Sequence, residues 1–91
     1  VVGVMFVILV YDVNEKRVAK ALKKCRQYLT WVQNSVFEGN ISEGTLRRLI
    51  LELERILDLS EDSVIIYKFQ NTWYSERQII GIEKNPVDFM T

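Results

Sequence analysis

The 91 residues include 48% hydrophobic and 26% charged side chains, with twelve basic and twelve acidic residues and no histidine. This balance excludes a disordered chain, because enough apolar surface is present to offset the entropy of folding, and the length supports a single core. Zero net charge excludes a domain that binds nucleic acid through overall basicity. The lack of histidine leaves carboxylates, hydroxyls, lysines and water for any chemistry.

Val4 to Tyr11 is β-branched and aromatic without alternation, the pattern of a central strand covered on both faces. The opening apolar run has neither a basic leader nor a small-residue cleavage site and is too short to span a bilayer, so the protein is expected to be cytoplasmic, with no membrane partner. A lone cysteine, Cys25, forms no internal disulfide, which suits a reducing compartment.

From Asn14, a residue type that caps helices, Val18, Ala21, Leu22, Cys25 and Leu29 recur at helical spacing and predict an amphipathic helix ending near Tyr28. Cys25 falls on its buried stripe. The other side carries Lys16, Arg17, Lys20, Lys23, Lys24 and Arg26, six of the twelve basic residues within eleven positions and no acid among them. Such a run is either a solvated helix face or a phosphate-binding patch.

Val32 to Phe37 is strand-like, and Gly39 and Asn40 interrupt it, giving one bent strand or two short ones. Ser42 caps a second helix whose stripe is Leu46, Leu49, Ile50, Leu53, Ile56 and Leu57. "DSVIIYKF" (Asp62 to Phe69) repeats the central-strand signature. "QNTWYSERQ" reads as a polar loop in which Trp73 and Tyr74 form a stacking platform or, more simply, cover an edge. "IIGIE" (Ile79 to Glu83) is a last short strand, and Pro86 heads an apolar tail.

This order predicts one α/β (α+β) domain over residues 1–91, with its core at about 4–83: a ferredoxin-like βαββαβ sandwich with both helices on one side of the sheet. A strand arriving after that sheet is complete needs an edge, which a second protomer can supply. A two-fold homodimer is therefore expected, with the C-terminal strand pairing onto the partner subunit.

Asp12 closes the first strand, at the carboxyl end where ligand sites collect in open sheets. It either makes an Asx-turn or cap ahead of the helix, or binds a metal ion. One carboxylate is a poor magnesium site, but a two-fold axis near the strand ends brings two copies together around a hydrated ion. Without an ion the pair would repel, and one member would tend to stay protonated. Ser35 has no histidine to activate it and reads as a strand hydroxyl; Phe37 reads as core, with base stacking as the alternative for an exposed ring. No phosphate-binding glycine loop or zinc spacing appears.

Three segments in order, "YDV" closing the first strand, "VQNSVFEG" from Val32, and "DSVIIYKF" from Asp62, resemble the small CRISPR-associated protein of the adaptation machinery, the second of its two core proteins, often described as a CRISPR endoribonuclease. The likeness runs from about Phe6 to Gly81. It implies a ferredoxin-like dimer in which Asp12 from both subunits holds Mg2+ (or Mn2+), Tyr11 flanks the metal, Arg17 touches phosphate, and Ser35 and Phe37 border the cleft. Nucleic acid would lie on Lys16, Arg17, Lys20, Lys24 and Arg26. In the family a basic residue often precedes the "VQ" pair; here it is Trp31, which leaves Arg17 and Arg26 to hold a scissile phosphate. The implied role is spacer acquisition: a homodimer that binds a DNA duplex or single-stranded RNA and bridges CRISPR integrase subunits, with metal-dependent endonuclease activity. The alternatives are a scaffold without catalysis and a toxin-type endoribonuclease of related fold.

Overall fold

The computed structural model describes residues 4–70 and 75–82. In chain order these form β1 (Val4–Asp12), α1 (Glu15–Arg26), β2 (Thr30–Gln33), β3 (Val36–Ser42), α2 (Glu43–Ile56), β4 (Ser63–Phe69) and β5 (Ser75–Gly81). All neighbouring strands are antiparallel, in the order β2-β3-β1-β4-β5. The first four strands and two helices make the ferredoxin-like βαββαβ sandwich, and β5 extends the sheet beyond β4.

Both helices begin where a side chain satisfies an otherwise orphaned backbone N–H. Asn14 Oδ1 accepts from the Lys16 N–H at 2.9 Å, and Ser42 Oγ accepts from the Thr45 N–H at 3.2 Å. Ala21 and Cys25 of α1 and Leu46, Leu49 and Leu53 of α2 are buried against Met5, Val7, Leu9, Phe37, Ile41, Val64, Ile66 and Ile80 of the sheet. Burial pushes the Cys25 thiol up to about 12, so it stays protonated and acts as a small core residue.

Three sequence expectations change. The strand β1 is apolar throughout, yet its burial alternates: Met5, Val7 and Leu9 lie beneath the helices, whereas Phe6, Ile8 and Val10 are only half-buried on the other face. The two described helices both lie on one side of the sheet.

The break expected at Gly39 and Asn40 falls instead at Asn34 and Ser35, which turn β2 into β3. Asn34 has φ of 44°, a left-handed conformation that asparagine tolerates. Gly39 lies within β3 because Leu29 packs over it; a Cβ there would sit 3.3 Å from Leu29 Cδ2.

The last strand is longer than Ile79 to Glu83 and takes in part of the stretch read as a polar loop. It pairs along its length with the chain's own β4, where the sequence predicts a partner subunit's edge: Ile79 lies opposite Ile65 and Arg77 opposite Tyr67. The free edge of β4 is the nearest row of unpaired backbone groups, and antiparallel return satisfies both strands. β5 ends at Gly81, φ 92°, where any side chain would collide with the Asp62 carbonyl. Trp73, Tyr74 and the tail beyond Ile82 lie outside the described residues, and among those described no helix is long and apolar enough to cross a membrane.

Phe37, fully buried at the centre of this core, sets a test of the packing: Phe37→Ala is expected to lose about 3–5 kcal/mol in chemical denaturation at unchanged m-value. A loss below about 1 kcal/mol would contradict the assignment.

Candidate functional site

Alternate residues of a strand face the same side, so the pairing register defines the face that the helices leave open. Phe6 stands between Asn40 and Phe69, Ile8 between Glu38 and Tyr67, and Val10 between Val36 and Ile65, with Ile79 and Arg77 continuing the rows on β5. Phe6 and Phe69 lie with ring centroids 6.3 Å apart. An apolar field of this kind is unusual on a monomeric surface and marks an interaction site. Asp12, opposite Ser63, is exposed at the end of this same face.

The turn that carries Asp12 into α1 is fastened from beneath by Asp62, whose carboxylate is fully buried. Asp62 accepts the Asn14 N–H at 3.0 Å and the Asp58 N–H at 2.9 Å, and it takes Arg17 in bidentate fashion, Nε at 2.6 Å and Nη2 at 3.0 Å. Glu61 adds a second acceptor for Arg17 Nη2 at 2.8 Å. The Arg17 guanidinium, with the two backbone N–H groups, holds the Asp62 carboxyl well below the usual carboxylate range, and Asp62 in turn raises Arg17 above its ordinary value. The start of α1 is thereby tied to the start of β4. Sequence reasoning missed Asp62, although an acid at the foot of a buried strand must find a partner, and Asn14 and Arg17 across the sheet end are its signal.

The residues singled out from sequence do not gather around Asp12. Tyr11 points to the helix side; its ring centroid is 6.1 Å from that of Phe37, and its hydroxyl donates to the Asn34 carbonyl at 3.2 Å. Burial is the main cause of its raised pKa. Adjacent positions on a strand face opposite sides, so Tyr11 does not flank the Asp12 carboxylate within one chain. Phe37 is fully buried and offers no ring face to a cleft or a base. Ser35 lies in the turn, where its carbonyl accepts the Tyr11 N–H at 3.0 Å. Arg17, expected on phosphate, has its Nε and Nη2 engaged by Asp62 and Glu61.

Lys16, Lys20 and Arg26 are exposed on α1. Lys24 is half-buried and pairs with Glu52 at 3.3 Å; Glu52 also accepts from the Tyr28 hydroxyl at 2.9 Å and is held below its usual pKa, mainly by that bond. Lys20, Lys23 and Lys24 line a shallow groove of about 250 Å³ with Gln27 and Ile56. These cations therefore lie in the helix layer, across the sheet from the face that Asp12 occupies. Trp31, in place of the expected basic residue, is 49% exposed on β2, and its Nε1–H donates to the Asn34 carbonyl at 2.9 Å.

Among the described residues no group of three or more acidic, cysteine or histidine side chains is arranged to hold a metal ion. The Asp62 oxygens are taken by Arg17 and backbone N–H groups. The described residues of one chain therefore do not by themselves fit a magnesium ion, whereas two copies of Asp12 would match the one or two carboxylates that magnesium takes beside its waters.

The fold defines a class, the ferredoxin-like sandwiches with one bare sheet face and an acidic residue at the end of the central strand. The chain belongs to the family described as CRISPR associated protein Cas2, whose model matches residues 5–77. It is 56% identical to a "CRISPR-associated endoribonuclease Cas2" of Dictyoglomus turgidum over 89% of this chain and 93% of that one. It is 50% identical to the protein of the same name from Thermotoga maritima, over 94% and 99%. A solved structure titled "Crystal structure of cas2" is similar at TM-score 0.73 and 43% identity, covering 94% of this chain and 97% of that one. A second, of a hypothetical protein TT1823 from Thermus thermophilus, is similar at TM-score 0.67 and 28% identity, covering 77% and 84%.

A group whose folded pKa is depressed stabilises the fold above the ordinary carboxylate range, and that contribution is lost as pH falls through it toward the lower folded value. Asp62 is such a group, as are Asp58 and Glu52, so a variant is needed to isolate it. Asp62→Asn is expected to lower Tm at neutral pH and to show a smaller fall in Tm than wild type below about pH 4. Parallel melting curves across that range would contradict the role given to Asp62.

Proposed function

We propose that the chain acts in CRISPR adaptation as a homodimer that grips a nucleic-acid duplex, bridges integrase subunits, and carries an endonuclease centre built from the two Asp12 side chains. The observation that carries this reading is the bare apolar sheet face ending in Asp12. A second copy packed on that face buries Phe6, Ile8, Val10, Ile65 and Tyr67 and brings the two strand ends toward one axis.

The names of the relatives support cleavage of RNA as the chemistry. Asp12 of each subunit would hold magnesium or manganese, which when bound lowers the pKa of water and offsets charge on phosphate. Asp12 is the residue this chain contributes to cleavage. Lys16, Lys20 and Arg26 bind phosphates without reading sequence.

One geometric consequence favours the scaffold as the main biological role. Face-to-face packing of two sheets turns both helix layers outward, so the basic stripes of α1 lie on opposite outer surfaces of the dimer. That arrangement suits a body that holds nucleic acid between partners. The inward Tyr11, the buried Phe37 and the engaged Arg17 leave few side chains for fast hydrolysis.

Charge placed at the centre of the bare face tests the dimer: Ile8→Asp is expected to sediment as a monomer at concentrations where wild type is dimeric, and an unchanged dimer would place the interface elsewhere. Asp12→Ala is expected to abolish magnesium-dependent cleavage of RNA and leave duplex binding and duplex insertion with the integrase intact. Cleavage at the wild-type rate would remove Asp12 from the chemistry. Lys16→Ala and Lys20→Ala are each expected to weaken binding equally across sequences and to reduce the salt slope by about 1; unchanged slopes would move the phosphate contacts off α1.

A further inference from the structure

Lys68 is a buried cation that neither the core nor the proposed chemistry uses. It lies on β4, where it shares parity with the buried Val64 and Ile66 and so faces the helix side of the sheet. The residue is 7% exposed, yet among the described residues its ammonium has no hydrogen-bond or ion-pair partner. Charge held away from water without a partner is costly, and buried ammonium groups are ordinarily paired. Among the described residues no fully enclosed side-chain nitrogen or oxygen lacks a partner, so the Lys68 ammonium must reach open space.

That space is a cavity of about 310 Å³ between α2 and the outer strands, with Lys68 and Gln78 in its sheet wall. The helix contributes an apolar side, in which Leu46 is buried, Ile50 half-buried and Leu51 exposed. Glu43, Arg47 and Glu54 complete the lining and are exposed. Two carboxylates and two cations leave the lining without net charge, which sets it apart from the lysine groove of α1 and disfavours a chain of phosphates. A single negative group is different. One carboxylate can accept from the Lys68 ammonium and the Gln78 amide together, and an apolar body attached to it can cover Leu46, Ile50 and Leu51. The volume lies at the small end of the range for small-molecule sites, roughly 300–1,000 Å³.

We propose that this cavity is a binding site for a small monocarboxylate with an apolar body, the carboxylate seated on Lys68 and Gln78 and the body on Leu46, Ile50 and Leu51. Lys68 lies opposite Val7 and Gln78 opposite Ile66, both on the helix side of the sheet, so a second copy packed on the bare face leaves the site open. It stands independently of the nucleic-acid reading, because none of its residues belongs to the Asp12 face or to the basic stripe of α1.

Probes are hexanoate, its uncharged counterpart hexanol, and inorganic phosphate, each titrated into the whole isotope-labelled chain at neutral pH while backbone amide NMR shifts are followed. Hexanoate is expected to move the Leu51, Lys68 and Gln78 amides saturably, hexanol to bind about tenfold more weakly, and phosphate to leave those amides in place. Lys68→Met keeps an unbranched side chain without its charge and is expected to bring hexanoate down to the hexanol level. Leu51→Glu, at an exposed helix position, is expected to fold as wild type does and to weaken hexanoate to a similar degree by repulsion. Absence of a saturable shift with hexanoate, shifts confined to Lys20, Lys23 and Lys24, or equal affinity for hexanoate and hexanol would overturn the site. Phosphate binding at the same amides as tightly as hexanoate would overturn it in favour of a plain anion contact. Binding of hexanoate seen only in Glu76→Gln would overturn it too, by showing that Glu76, opposite Lys68 in the register, already neutralises the ammonium.

Discussion

A sheet with apolar side chains on both faces and helices for only one is the constraint from which the rest of this molecule follows. Met5, Val7 and Leu9 are closed off by α1 and α2, while Phe6, Ile8 and Val10, their neighbours in β1, meet no second layer among the described residues. Exposed apolar area of that extent is costly in water, at roughly 25 cal/mol per Å². The same alternation puts the carboxylate of Asp12 on the bare side, so whatever covers the face also sets the surroundings of the acid. Burial, association and chemistry are in this way tied to the parity of one strand.

The second constraint is the buried Asp62 carboxylate. Its bonds to Arg17, Asn14 and Asp58 lock the corner where β1, α1 and β4 meet. Removing one partner would strand a charge with little water around it, which is why such a pair is far harder to break than a surface ion pair. It also changes the meaning of Arg17. The guanidinium that resemblance would lay on phosphate shapes the corner behind Asp12, and Lys16, Lys20, Lys23 and Arg26 are left as the exposed cations of α1.

What the sequence disclosed was mainly local. Asn14 and Ser42 announce their helices because a cap needs only the next three residues, and the leucine stripe of α2 follows from helical period alone. The turn between β2 and β3 is hidden because Gly39 reads as the more permissive break, whereas that glycine lies within β3, closely approached by Leu29 from another part of the chain. The start of β5 was hidden by its polar composition, which is common in an edge strand and mimics a loop. The link between Arg17 and Asp62 spans 45 residues and leaves no periodic trace.

Whether two copies meet across the bare face with their Asp12 ends together can be read by a nitroxide attached to an Asp12→Cys variant. Cys25 is 2% exposed with its thiol raised to about 12, so the new position alone takes the label. The account predicts strong dipolar broadening between the two labels, lost when the sample is diluted with unlabelled protein. Sharp, uncoupled spectra from a stable dimer would contradict it.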